Sequence, residues 1–144
     1  LLRQRSKDLD PEVRARLETG AMTPAIHYIK AQRARAAFNE QVLQVLEQVD
    51  VLLTPTTSIA APKIEDSTVL INGKSEPAML LLSKMTRPFN LCGLPTISLP
   101  CGFTSEGLPI GLQLVGRPFD EMTILKLAYA FEQATDWYTL KPPI

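Results

Sequence analysis

Thr96-Ile97-Ser98-Leu99 and Ile110-Gly111-Leu112-Gln113-Leu114-Val115 are two short strand-forming runs, and Ser105-Glu106-Gly107 between them is a turn signal. Runs so punctuated predict a β-hairpin. Side chains alternate along a strand. Ile110, Leu112 and Leu114 therefore share one face, while Gly111, Gln113 and Val115 share the other. A glycine inside a strand predicts that something approaches closely on its face. This hairpin is the feature around which the rest of the chain has to be arranged.

Upstream, Asp10-Pro11-Glu12 opens a helix, with Asp10 as its cap, Pro11 in its first turn and Glu12 at the positive dipole end. Gly20 is the expected stop. Thr23-Pro24 starts a second helix, predicted to run from 24 to about 49, a length of about 39 Å. Its expected apolar stripe is Ala31, Ala34, Phe38, Val42, Val45 and Val49. Arg33, Arg35, Glu40 and Glu47 suit a charged face. Val51-Leu52-Leu53-Thr54 reads as a buried strand stopped by Pro55. Residues 54–76, rich in Pro, Ser, Thr and Asn, read as a long loop. Residues 78–85 read as a short apolar helix that ends near Arg87-Pro88. Asp120-Glu121 opens a last helix, whose apolar side is Ile124, Leu127 or Ala128, Phe131 and Ala134. Lys141-Pro142-Pro143-Ile144 ends structure. Helix, strand, helix, hairpin and helix give an α/β chain with few strands. Few strands with an over-long helix suit a piece of a larger sheet.

A formal net charge of zero excludes a broad nucleic-acid surface and a polybasic membrane anchor. No apolar run approaches the ~20 residues that cross a bilayer. The charged opening, residues 1–8, has no signal-peptide core, and a cytoplasmic protein is expected. Cys92 and Cys101 are too few for a disulfide framework and lack zinc or redox spacing. They are expected as buried reduced thiols, with no metal and no cofactor. His27, the one histidine, has no carboxylate within sequence reach and is expected to be structural.

Four stretches, in order, carry a resemblance. Asp50-Val51-Leu52-Leu53-Thr54-Pro55-Thr56 has the form D-x-L-L-x-P-T. Thr86-Arg87-Pro88-Phe89-Asn90-Leu91-Cys92-Gly93-Leu94-Pro95 has the form T-x-P-x-N-x-x-G-x-P. The other two are Ser98-Leu99-Pro100-Cys101-Gly102-Phe103 and the run from Gly107 to Gly116, followed by Phe119-Asp120-Glu121. Together they resemble the C-terminal end of the amidase signature family. The resemblance implies a mixed β-sheet flanked by helices, of which residues 1–144 form one C-terminal segment. Residues 1–49 are then a helical lead-in, and residues 50–144 supply strand, loop, helix, hairpin and closing helix. It also implies hydrolysis of a carboxamide to carboxylate and ammonia by a serine nucleophile. A second serine and a lysine relay the proton, and backbone amides hold the oxyanion.

That machinery is not legible here. The seven glycines include no adjacent pair. Ser58, Ser67, Ser75 and Ser98 lack a Gly-Ser-Ser context. Ser83 and Lys84 are neighbours, which point different ways on a helix. No catalytic residue carries over, and the chain is expected to be inactive without an N-terminal catalytic part of the same enzyme. The family's acyl-pocket wall falls on Met85, Thr86, Phe89 and Asn90, for a small amide substrate. Phe89 as core, and Asn90 as a tie for its own loop, stand beside that assignment. The family's glutamine-amidotransferase branch carries an acidic residue where Ser83 stands, which favours a stand-alone amidase. Two alternatives remain: a non-catalytic binding or assembly module, and a glutamyl-tRNA amidotransferase A-type subunit. The isolated segment, with an unpaired strand edge and a bare helix stripe, is expected to form a homodimer.

Overall fold

The computed structural model describes residue 2 and residues 4–140. The predicted ending at Lys141-Pro142-Pro143-Ile144 lies outside the described residues. The chain divides into two compact units, residues 1–38 and 39–144.

The first unit is helical. After a 3-10 turn at Ser6–Asp8 comes α1, Pro11–Met22. The Asp10 carboxylate caps it, accepting from the amides of Glu12 at 2.9 Å and Val13 at 3.4 Å. Gly20 does not stop the helix, which continues to Met22. The break comes at Thr23, because a residue before proline is pushed out of the helical region; its ψ is 118°. The next helix, α2, spans Ala25–Leu46 and so closes three residues short of the expected Val49. Its 22 residues give about 33 Å of helix. Ala31, Ala34 and Phe38 of the predicted stripe are exposed.

The second unit begins within α2. There the residues turned inward are Asn39, Val42, Leu43 and Leu46, while Val45 and Val49 are exposed. Of the predicted stripe only Val42 lies on this face. The chain leaves the helix after Leu46, so Val49 is not in register with it. Arg117 fixes that ending: its Nε donates to the Leu46 carbonyl at 2.9 Å and its Nη2 to the Val49 carbonyl at 3.1 Å. Terminal carbonyls of a helix have no partner within it, and a cation suits that end.

Three antiparallel strands, β1 (Leu52–Pro55), β4 (Thr96–Phe103) and β5 (Pro109–Val115), form a sheet in the order β1-β5-β4. The β4–β5 hairpin and its turn form where the sequence predicts, but β4 runs past the expected Leu99 to Phe103, with a register shift between Pro100 and Gly102. The expected buried strand, β1, is an edge strand with Leu53 61% exposed. It has β5 on one side only, and the closing helix α5, Glu121–Ala134, packs on β4 and β5. Leu99 and Leu114 pack there against Ile124 and Ala128, with Val51, Ile97, Leu112 and Phe131 around them. Ala128, not Leu127, is the inward choice, and Ala134 is exposed. The opposite sheet face buries Val115 against Leu46 and Leu94, with Val42, Leu43, Leu52, Phe89 and Cys92 around them.

The predicted loop at 54–76 contains a second hairpin, β2 (Thr68–Ile71) and β3 (Lys74–Pro77). Its turn is Asn72-Gly73, with φ of 49° and 78°. Two successive left-handed residues make the turn that suits the twist of a hairpin, and Asn-Gly is its strongest signal. A short helix, α3 (Ala78–Leu82), packs on this hairpin. Arg87-Pro88 does not end that helix. It opens another, α4 (Arg87–Cys92), where proline is tolerated because first-turn amides need no helical partner.

Candidate substrate-facing wall

The register of the three strands places Thr54 of β1 and Ser98 of β4 on either side of Gln113. Gln113 is 3% exposed and is the one buried polar side chain among the described residues. Its Nε2 donates to Thr54 Oγ1 at 2.9 Å and to the Met85 carbonyl at 3.3 Å. A carbonyl can only accept, so the amide has to present its nitrogen to Met85. Along the same face, Thr56 Oγ1 and Ser98 Oγ meet at 2.6 Å over Gly111. A Cβ at position 111 would stand 2.7 Å from Thr56 Oγ1, which is the close approach that a glycine in this strand predicts.

Residues 83–86 form the turn between α3 and α4, and Met85 and Thr86 sit in it half-buried. The Thr86 hydroxyl donates to the Ser83 carbonyl at 3.3 Å. Phe89 leaves α4 half-buried and packs on the Leu46, Leu94 and Val115 cluster. Asn90 is exposed; its backbone amide donates to the Thr86 carbonyl at 3.1 Å and its carbonyl accepts from Gly93. The structure thus gathers all four predicted residues into one corner. Phe89 belongs in part to the core there, and Asn90 ties the corner through its main chain.

Ser83 and Lys84 form no dyad. The Ser83 hydroxyl donates to the Met79 carbonyl at 2.9 Å and accepts from Arg87 Nε and Nη2 at 3.0 and 2.5 Å. A hydroxyl so committed has no proton to give a base. Cys92 and Cys101 form no disulfide and are half-buried rather than buried, and His27 is exposed on α2. Among the described residues no group of metal-ligating side chains occurs, and no helix is long and apolar enough to cross a membrane.

Strand alternation puts Gln113 on the right face but by itself assigns it no role. The signal is available in the sequence: a single amide among apolar residues, on a strand whose period predicts burial, has to find partners. Thr54, Thr56 and Ser98 carry no such signal, because their pairing depends on strand order.

Residues 1–125 match the family model described as Amidase. The A-type subunit of a glutamyl-tRNA(Gln) amidotransferase from Synechococcus sp. is 41% identical over 146 residues, covering 97% of this chain and 27% of that protein. A solved structure described as an amidase superposes with a TM-score of 0.87 at 28% identity, over 92% of this chain and 30% of its own. The corresponding A-type subunit from Thermotoga maritima superposes with a TM-score of 0.64 at 33% identity, over 87% and 27%. The fold is therefore the α/β fold of amidase signature enzymes, in a segment spanning a little over a quarter of the curated relatives' length. This chain belongs to the amidase family.

Proposed function

We propose that this chain is the C-terminal part of a serine amidase that hydrolyses the carbon–nitrogen bond of a small carboxamide to carboxylate and ammonia. The nucleophile, its second serine and its lysine come from an N-terminal catalytic part of the same enzyme. Residues 1–144 supply sheet strands and one wall of the acyl pocket. Met85 and Thr86 line it, Phe89 backs it, and Asn90 ties its corner. The supporting observation is the double anchoring of that corner, by the Gln113 amide to Met85 and by Phe89 on the Val115 cluster. A binding wall has to be rigid to discriminate, and both anchors belong to the sheet. The reading places the enzyme in the cytoplasm and allows the isolated segment to pair with a second copy.

The test is ammonia release from a graded panel of carboxamides by the full-length protein. Turnover that disappears when the nucleophilic serine of the N-terminal part becomes alanine is expected. Absence of turnover on every simple carboxamide overturns the reading.

A second reading is a glutamyl-tRNA amidotransferase A-type subunit, favoured by the names of the curated relatives. Ser83, standing where that branch is expected to be acidic, weighs against it. Its hydroxyl here receives the Arg87 guanidinium, leaving no anion to recognise a substrate ammonium. Hydrolysis of free carboxamides without tRNA and without other polypeptides separates the two.

A further inference from the structure

We infer that Gln113 is a positioning residue for acyl specificity, acting through the carbonyl of Met85. The inference rests on the proposal that Met85 and Thr86 line the acyl pocket. Gln113 lies on the central strand of the sheet, which is paired on both sides. Both hydrogens of its amide are used, one on Thr54 of the edge strand and one on Met85 of the turn. The first bond ties strand to strand, which the ladder between β1 and β5 already does. The second reaches a segment outside the sheet. It fixes the turn's main chain at the residue from which the wall projects.

The burial makes this bond consequential. An amide 3% exposed finds no water to replace a lost partner. The Met85 carbonyl can be held only by a donor, and Gln113 is the side chain that reaches it. Loss of the donor releases the Met85-Thr86 main chain while Phe89 still holds α4 on the Val115 cluster. The wall then shifts at its near end, and the pocket accepts acyl groups it normally rejects.

Two variants separate positioning from bulk stability. Gln113→Met keeps the volume and removes the donor. Gln113→Glu keeps the shape and sets a carboxylate oxygen against the carbonyl. In the full-length enzyme both should change the ratio of kcat/KM between a short and a bulky carboxamide by about tenfold, the worth of one neutral hydrogen bond. The change should appear in KM for the bulky substrate more than in kcat for the short one. A purely structural role would lower the active fraction and reduce every kcat alike, leaving KM and the substrate ratio unchanged. That result overturns the inference. Thr54→Val, which removes the other partner of the same amide, should leave the substrate ratio at the wild-type value. An equal shift in Thr54→Val would also overturn it. If Gln113→Glu does not fold, Gln113→Met carries the test.

Hydrogen exchange gives a readout independent of activity. The Arg87 and Asn90 amides, bonded to the Ser83 and Thr86 carbonyls, should exchange about tenfold faster in Gln113→Met. Unchanged exchange there overturns the positioning role even if the full-length wild type hydrolyses no carboxamide, an outcome that would separately defeat the amidase reading.

Discussion

Thr56 and Ser98 touch across a strand that belongs to neither: their hydroxyl oxygens lie 2.6 Å apart, 42 residues apart in sequence. Thr56 follows β1, Ser98 belongs to β4, and β5 runs between those strands. The contact exists because β5 has no side chain at Gly111. Gly111→Ala should break it and strain the sheet, at a cost of about 1–3 kcal/mol. Urea unfolding of the full-length protein would measure this. Ser98→Ala should add little in the Gly111→Ala background, since the bond it removes is already lost.

Phe89→Ala should lower stability by about 2–3 kcal/mol, less than the roughly 3–5 of a fully buried ring, because Phe89 is only half-buried. Asn90→Ala should change stability by less than about 0.5 kcal/mol, since its side chain is exposed. Thermal melts of the two variants check the contrast. Equal losses would show that the Asn90 side chain holds the corner.

Arg117→Ala should cost about 1–2 kcal/mol, because it leaves the Leu46 and Val49 carbonyls without their donor. The third partner, Asp50, lies 3.2 Å from Nη2 but is mostly exposed, so Asp50→Ala should cost less than about 0.5 kcal/mol. Arg117→Lys should recover little, since one ammonium does not reproduce the fork that spans both carbonyls.

Asp10→Ala should fray α1 by about 1 kcal/mol, the worth of a capping side chain. The effect should be local. Hydrogen exchange should accelerate at Glu12 and Val13, whose amides the carboxylate receives, while exchange in the sheet stays unchanged.

The purified segment should release no ammonia from simple carboxamides. Its most suggestive pair, Ser83 and Lys84, is disarmed by the commitment of the Ser83 hydroxyl to Met79 and Arg87. Turnover that survives repurification and disappears in Ser83→Ala would reverse that conclusion.

The central hairpin is legible in the sequence because two strand-forming runs, 96–99 and 110–115, are divided by a glycine turn, whereas the slip of β4 between Pro100 and Gly102 is not. The cap at Asp10 is legible because capping is a matter of three neighbouring residues. The face of α2 is not. Alanines and valines recur on several faces of that helix, and only the place where Arg117 ends it selects Leu43 and Leu46 over Val45 and Val49. The β2–β3 hairpin hides in a polar stretch although Asn72-Gly73 announces it, since Val69-Leu70-Ile71 of β2 face a partner strand, Lys74–Pro77, that is polar. The candidate wall is half legible. The family resemblance points to its residues within the stretch 85–90, but the Gln113 amide that reaches Met85 arrives from a strand 28 residues later.

Each outer strand of the three-stranded sheet carries a proline, Pro55 opposite Leu112 and Pro100 opposite Gly111, and the β4 pairing slips between Pro100 and Gly102. A proline has no amide hydrogen to offer an incoming chain, and an irregular border is a poor template for one. Fibril growth by addition of strands to this sheet is therefore disfavoured, and particles that form through it should leave an amyloid dye dark.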